Sequence, residues 1–181
     1  MARQQLGKGV WYDPSVKGYV MLDITAHAPK PETLVIDGVA LFPKSEYHIS
    51  LANVRAIAGG DMSKESQIVS AMKDCLSDEA VSLTWVGFGG NVYVCKKPNS
   101  DNETQVTVLA DVQLAGIEAL QALMCERVGV NISTTLHVTL LKSANSPYGI
   151  GVNSAADLAA YCVKRDDVAN AMHLNIQTNS L

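Results

Sequence analysis

The sequence has no apolar run approaching the roughly 18 to 20 residues that a membrane-spanning helix needs, so a helical membrane protein is not expected. It also lacks an excess of basic residues. Fourteen Lys and Arg stand against 18 Asp and Glu, a formal net charge of −4 at pH 7. Long polyanions are usually held by stripes of cationic side chains that neutralise many phosphates, so duplex nucleic acid is a poor partner. A small nucleotide or the end of an RNA suits this charge better. The four cysteines, Cys75, Cys95, Cys125 and Cys162, include no C-x-x-C pair, which removes zinc-ribbon and thioredoxin-type sites. Each falls in an apolar stretch, where a free thiol behaves as a small hydrophobe, and all four are expected to be reduced thiols in a cytosolic setting. There is no H-E-x-x-H, no phosphate-binding loop followed by Lys-Ser/Thr, and no G-x-S-x-G, so zinc proteases, Walker-type nucleotidases and serine hydrolases drop out. The opening stretch Met-Ala-Arg-Gln-Gln-Leu-Gly-Lys-Gly shows no secretion signal, and a cytoplasmic location is expected.

What is present is a chain of 181 residues, 48% hydrophobic and 18% charged, enough apolar material for a packed core. Gly18 to Ala26 is β-prone. Leu34 to Ile36 and Val39 to Phe42 flank Asp37-Gly38, a strong hairpin signal. Glu46 to Leu51 reads as a strand, and Ser63 to Leu76 as a helix with Ser63 as its cap, because Ile68, Met72 and Leu76 recur at helical spacing. Val81 to Phe88 and Val92 to Lys96 flank Gly89-Gly90, which suggests a second hairpin with Gly87-Phe88-Gly89-Gly90 as a turn. The polar stretch Lys97 to Glu103 predicts a joint between two lobes. Beyond it come a strand over Gln105 to Asp111, a helix carrying Leu114, Ile117, Leu120, Leu123 and Met124, a strand over Leu136 to Leu141, a helix over Ala155 to Val163, and an alternating strand from Met172 to Gln177. Strands without regular βαβ alternation place the chain in the α+β class.

The chemistry concentrates in two segments half the chain apart, Tyr47-His48-Ile49-Ser50-Leu51 and Leu136-His137-Val138-Thr139-Leu140. Successive side chains of a strand point to opposite faces. His48 and Ser50 therefore share one face and Ile49 and Leu51 the other, and His137 and Thr139 are likewise separated from Val138 and Leu140. Apolar faces anchor each strand, leaving the polar pairs to line a common groove. A neutral imidazole can take a proton from an attacking water or ribose hydroxyl while a protonated one donates to the leaving oxygen, and histidine titrates in the range that permits both. The hydroxyls of Ser50 and Thr139 suit the non-bridging phosphate oxygens.

On these two motifs, together with the strand and helix VTVLADVQLAGIEALQALMCERVG before the second, the sequence resembles the 2H phosphoesterase superfamily, which includes 2′,5′ RNA ligase-like proteins and cyclic nucleotide phosphodiesterases. The resemblance implies a single bilobal, duplicated α+β domain over residues 1–181, with two antiparallel sheets around a central groove, flanking helices, and neither metal nor cofactor. It puts catalysis on His48 and His137 and phosphate binding on Ser50 and Thr139. The implied reaction is metal-independent hydrolysis of a 2′,3′-cyclic phosphate on a nucleotide or RNA end. Degradation of 2′–5′ linked or cyclic oligonucleotide signals, and a non-catalytic RNA-binding module, are the alternatives.

Other residues enter as weaker candidates. Tyr148, in the loop Ser146-Pro147-Tyr148-Gly149, could stack on a base, and Lys44 and Lys142 lie near enough to the motifs to contact a phosphate. Trp11, Tyr12, Tyr47, Trp85 and Tyr93 are expected in the core. His27 and His173 match no compact ligand spacing and are expected at the surface.

Overall fold

The computed structural model describes residues 2–15, 18–28, 30–132 and 135–174. Among these residues ten strands and five helices follow one another, and every strand pair with an assigned register is antiparallel, so the chain is α+β. The chain divides into two compact units, each assembled from separated segments: 1–24, 48–86 and 114–134 in the first, and 25–47, 87–113 and 135–181 in the second. The polar stretch 97–103 lies inside the second unit, where Asn99 accepts backbone N–H bonds from Asp101 and Glu103 through its side chain.

In the first unit, β1 (Gln4–Gly7), β2 (Val10–Asp13), β3 (Tyr19–Asp23) and β6 (His48–Asn53) lie side by side in that order. Two helices follow β6: α1 (Val54–Ile57) and α2 (Met62–Ser77), against which α3 (Ile117–Val128) packs. The expected helix over Ser63–Leu76 is there, but its cap is Asp61 and not Ser63. The Asp61 carboxylate accepts from the backbone N–H of Ser63 and Lys64, leaving Ser63 in the first turn. Ile68, Val69, Met72, Cys75 and Leu76 are buried with Leu120 and Met124 of α3. One charged side chain is buried with them. Glu65, 2% exposed, receives both Nε and Nη2 of Arg55 at 3.2 Å and the Tyr12 hydroxyl, while Arg55 Nη2 also donates to the Pro14 carbonyl at 2.9 Å. This network ties α1, which continues directly from β6, to α2 and β2.

In the second unit, β4 (Leu34–Ile36) and β5 (Val39–Pro43) form the expected hairpin. Asp37 and Gly38 have φ of 51° and 79°, the two left-handed residues a two-residue turn of this kind requires. β5 pairs with β9 (His137–Ser143), which pairs on its other side with β8 (Thr104–Ala115). β8 neighbours β7 (Thr84–Pro98), which pairs with β10 (Cys162–Lys164). The expected hairpin at Gly89-Gly90 is absent: β7 runs uninterrupted through both glycines. Leu114 likewise belongs to β8, and α3 starts only at Ile117.

The end of the second unit also departs from expectation. The helix expected over 155–163 stops at Tyr161 as α4 (Ala155–Tyr161), and the following residues form β10. Met172 closes a short helix, α5 (Asp166–Ala171), instead of opening a strand, and 175–177 lie outside the described residues. Cys95 and Cys162, directly opposite in the β7–β10 register, form a disulfide, contrary to the expected set of four free thiols; Cys75 and Cys125 are free. Spacing along the chain hid this pair, because 67 residues separate cysteines that strand pairing brings together. Such bonds persist where the surroundings are oxidising, the opposite of the expected reducing setting. The bond borders a cluster of Cys95, Leu109, Ile150 and Val152, with Tyr93 and Leu158 packed against it. No helix among the described residues is long and apolar enough to cross a membrane.

Candidate active-site strands

Each His-x-Ser/Thr motif lies on a strand inside one unit, and strand alternation sets its faces. Along β6, His48 and Ser50 are half-buried while Ile49, Leu51 and Ala52 are buried. Along β9, His137 and Thr139 are half-buried while Val138, Leu140 and Leu141 are buried. In both strands two consecutive buried residues follow the hydroxyl residue, and the sheet registers explain this. β3 and β6 pair Asp23 with His48, Leu22 with Ile49 and Met21 with Ser50, but Val20 with Ala52, so Leu51 is an extra residue in β6. β8 and β9 pair Asp111 with His137, Ala110 with Val138 and Leu109 with Thr139, but Val108 with Leu141, so Leu140 is an extra residue in β9. A β-bulge directly after the hydroxyl residue thus occurs in both strand pairs, and it turns two successive side chains toward the buried side.

The same registers reveal two residues that motif reading missed. Asp23 stands across from His48, and Asp111 across from His137. Directly opposed residues of an antiparallel pair share a face, with Cβ atoms about 4.5 to 5.5 Å apart. Each histidine therefore has an aspartate as its cross-strand neighbour. The sequence signal was available, since each β-prone run, Gly18 to Ala26 and Gln105 to Asp111, carries a single Asp, but it acquires meaning only through the register.

In the second unit the His137 ring bonds within its own strand region: Nδ1 lies 2.9 Å from the Thr135 carbonyl oxygen. A carbonyl only accepts, so Nδ1 carries the proton and the neutral ring keeps its lone pair on Nε2. Burial pushes the His137 imidazole below the ordinary histidine range and the nearby Lys44 ammonium pushes the same way, while the Thr135 hydrogen bond opposes them. Asp111 is held elsewhere. Its Oδ1 accepts the Asn91 backbone N–H and its Oδ2 the Asn91 side-chain amide, both at 2.8 Å. Room for this carboxylate comes from Gly89, where a Cβ would stand 2.9 Å from both Cγ and Oδ2 of Asp111. This accounts for a glycine in mid-strand, where sequence reading placed a turn.

The loop passes Thr139 at Gly149, where a Cβ would stand 3.5 Å from Thr139 Cγ2 and 3.7 Å from Oγ1. Lys142 donates to the carbonyls of Ser146 and Pro147 at 2.9 and 3.1 Å, bracing this same loop, and Tyr148 on it is 68% exposed. Lys44 follows β5 and acts electrostatically on His137. Of the residues expected to touch substrate, the second unit thus gathers His137, Thr139, Lys44, Lys142 and Tyr148, while His48 and Ser50 lie in the first. Tyr47, by contrast, is 2% exposed, and His27 and His173 are exposed. Among the described residues no group of three or more His, Cys, Asp and Glu could hold a metal ion. Compared with known proteins, the chain matches no family model, no curated protein and no solved structure.

Proposed function

We propose that the chain is a metal-independent phosphodiesterase of the 2H type, a diverged duplication in which β3–β6 and β8–β9 are the repeated parts. The repeated arrangement of a cross-strand Asp–His pair, a hydroxyl two residues on, and a bulge directly after it carries this reading. Chance can supply an H-x-[ST] twice. A shared register and a shared bulge require two strand pairs built alike.

The two imidazoles suit different halves of an acid–base mechanism. His137, neutral with its lone pair on Nε2, is the base that takes a proton from water. His48, with Asp23 as its cross-strand neighbour, takes the complementary role and donates to the leaving oxygen. A base with lowered proton affinity is suited to stay unprotonated between turnovers. Ser50 and Thr139 hold the non-bridging oxygens, and Lys44 adds positive charge on the His137 side. The proposed substrate is a 2′,3′-cyclic phosphate on a nucleotide or RNA end.

The test is incubation with 2′,3′-cyclic, 2′–5′ linked and 3′–5′ linked nucleotides in the presence of EDTA. Hydrolysis of the cyclic phosphates is expected. Turnover of 2′–5′ linkages alone would redirect the assignment to oligonucleotide signals, and binding without turnover of any substrate would contradict an enzyme.

A further inference from the structure

His137 and Asp111 share a face in directly opposed positions, a placement that ordinarily joins a carboxylate to an imidazole and raises its proton affinity. Here both carboxylate oxygens are engaged on the far side, by the backbone and side-chain amides of Asn91, and the ring is engaged by the Thr135 carbonyl. The carboxylate occupies space that exists only because residue 89 has no side chain. Glycine is unfavourable in the middle of a strand, and this one makes room for Asp111.

We propose that Asn91 and Gly89 are positioning residues that draw the Asp111 carboxylate toward β7 and away from His137, so that it does not stabilise the His137 imidazolium. The catalytic meaning of this rests on His137 acting as a base, but the positioning itself does not. Among the described residues of this unit, the other charged or titratable groups on this side include Lys44, which disfavours the imidazolium, Lys142, held by the Ser146 and Pro147 carbonyls, and Tyr93, whose phenol burial and Asp111 both push toward the protonated form against Lys164. Asp111 is therefore the group on β8 able to reverse the balance, and its direction is set by two neighbours on β7. Gly89 does not adopt a left-handed φ, so Ala fits its backbone, and only the contact with Asp111 changes.

The experiment is an NMR titration of the His137 ring in the full chain. In Asn91→Ala the carboxylate is released, and in Gly89→Ala the new methyl displaces it; in each the His137 pKa is expected to rise by about one unit, the low end for an opposite charge at close range. Asp111→Asn alone should leave His137 near its wild-type value, because the charge is already turned away, and Asn91→Ala/Asp111→Asn should cancel the rise. An unchanged pKa in a folded Asn91→Ala or Gly89→Ala protein overturns the proposal, as does an equal rise in the double variant. Should both β7 variants fail to fold, Asp111→Asn decides: a fall of about one unit would show that the carboxylate acts on His137 already. These readouts require no substrate, so absent phosphodiesterase activity would refute the enzymatic reading and leave the positioning claim to stand or fall on the titration. With activity present, the acid limb of kcat/KM is expected to move with the His137 pKa.

Discussion

Leu51 and Leu140 occupy the same place in two different strand pairs: each is the single extra residue of a β-bulge, one position after the hydroxyl residue of a His-x-Ser/Thr segment. A bulge bends its strand and re-aims the neighbouring side chains. Its recurrence at one place means that the His and hydroxyl of each motif are presented by the same local backbone device, with an aspartate opposite each histidine. Both leucines are fully buried, which fixes the strands from behind.

Thr139→Val separates phosphate holding from proton transfer. The substitution keeps the shape and deletes a hydroxyl that has no useful proton affinity near neutrality. Loss of one neutral donor costs about 0.5 to 1.5 kcal/mol, and more where the bond strengthens in the transition state. A kcat/KM lowered accordingly, with both limbs of the pH profile retained, is the expected result. A missing limb would assign Thr139 a different role.

Arg55 and Glu65 set the acid stability of the first unit. Hydrogen bonds from Arg55, then from Tyr12, hold the Glu65 carboxyl below its usual range, while burial and the Glu65 contact raise the Tyr12 phenol to about 12. Since the folded value of Glu65 is the lower one, its stabilising contribution is complete above the ordinary glutamate value of about 4.3 and is lost as pH falls through the folded value. Arg55→Met leaves the buried Glu65 carboxylate with only the Tyr12 hydroxyl as partner and is expected to lower stability at pH 7, while Arg55→Met/Glu65→Leu recovers most of that. Urea unfolding at pH 7 and again at acidic pH measures it. Equal stability of Arg55→Met and wild type would show that the pair is not holding the helices.

The Cys95–Cys162 bond closes a loop across 67 residues, and such a bond typically adds about 2 to 4 kcal/mol. Cys95→Ser/Cys162→Ser is expected to lower Tm, and a reductant should lower wild type to the same level while leaving the variant unchanged. Thiol titration of the denatured, unreduced protein should count two free thiols, Cys75 and Cys125; four would mean that the bond does not form.

Local signals carried much of this fold. The Asp37-Gly38 turn, the apolar spacing in α2 and the alternation around both histidines are each decided within a few residues, and all were legible. What the sequence concealed depends on pairing between distant segments. Gly89 reads as a turn until Asp111 is known to fill the space beside it. Cys95 and Cys162 read as isolated thiols until β10 joins β7. Asp23 and Asp111 read as ordinary strand residues until the register sets them against the histidines. That the Lys142 ammonium also spans two loop carbonyls depends on the path of the loop after β9, which spacing does not show.

The most direct test of the central claim is the hydrolysis of a 2′,3′-cyclic nucleotide in EDTA by wild type, His48→Ala and His137→Ala, followed across pH. The wild-type kcat/KM should be bell-shaped, falling at low pH as His137 takes up its proton and at high pH as His48 loses its own. Each variant is expected to lose at least ~10²-fold in kcat/KM, the scale of one acid–base group, and to lose one limb: the acid limb in His137→Ala and the basic limb in His48→Ala. Near-normal turnover by either variant would contradict the account.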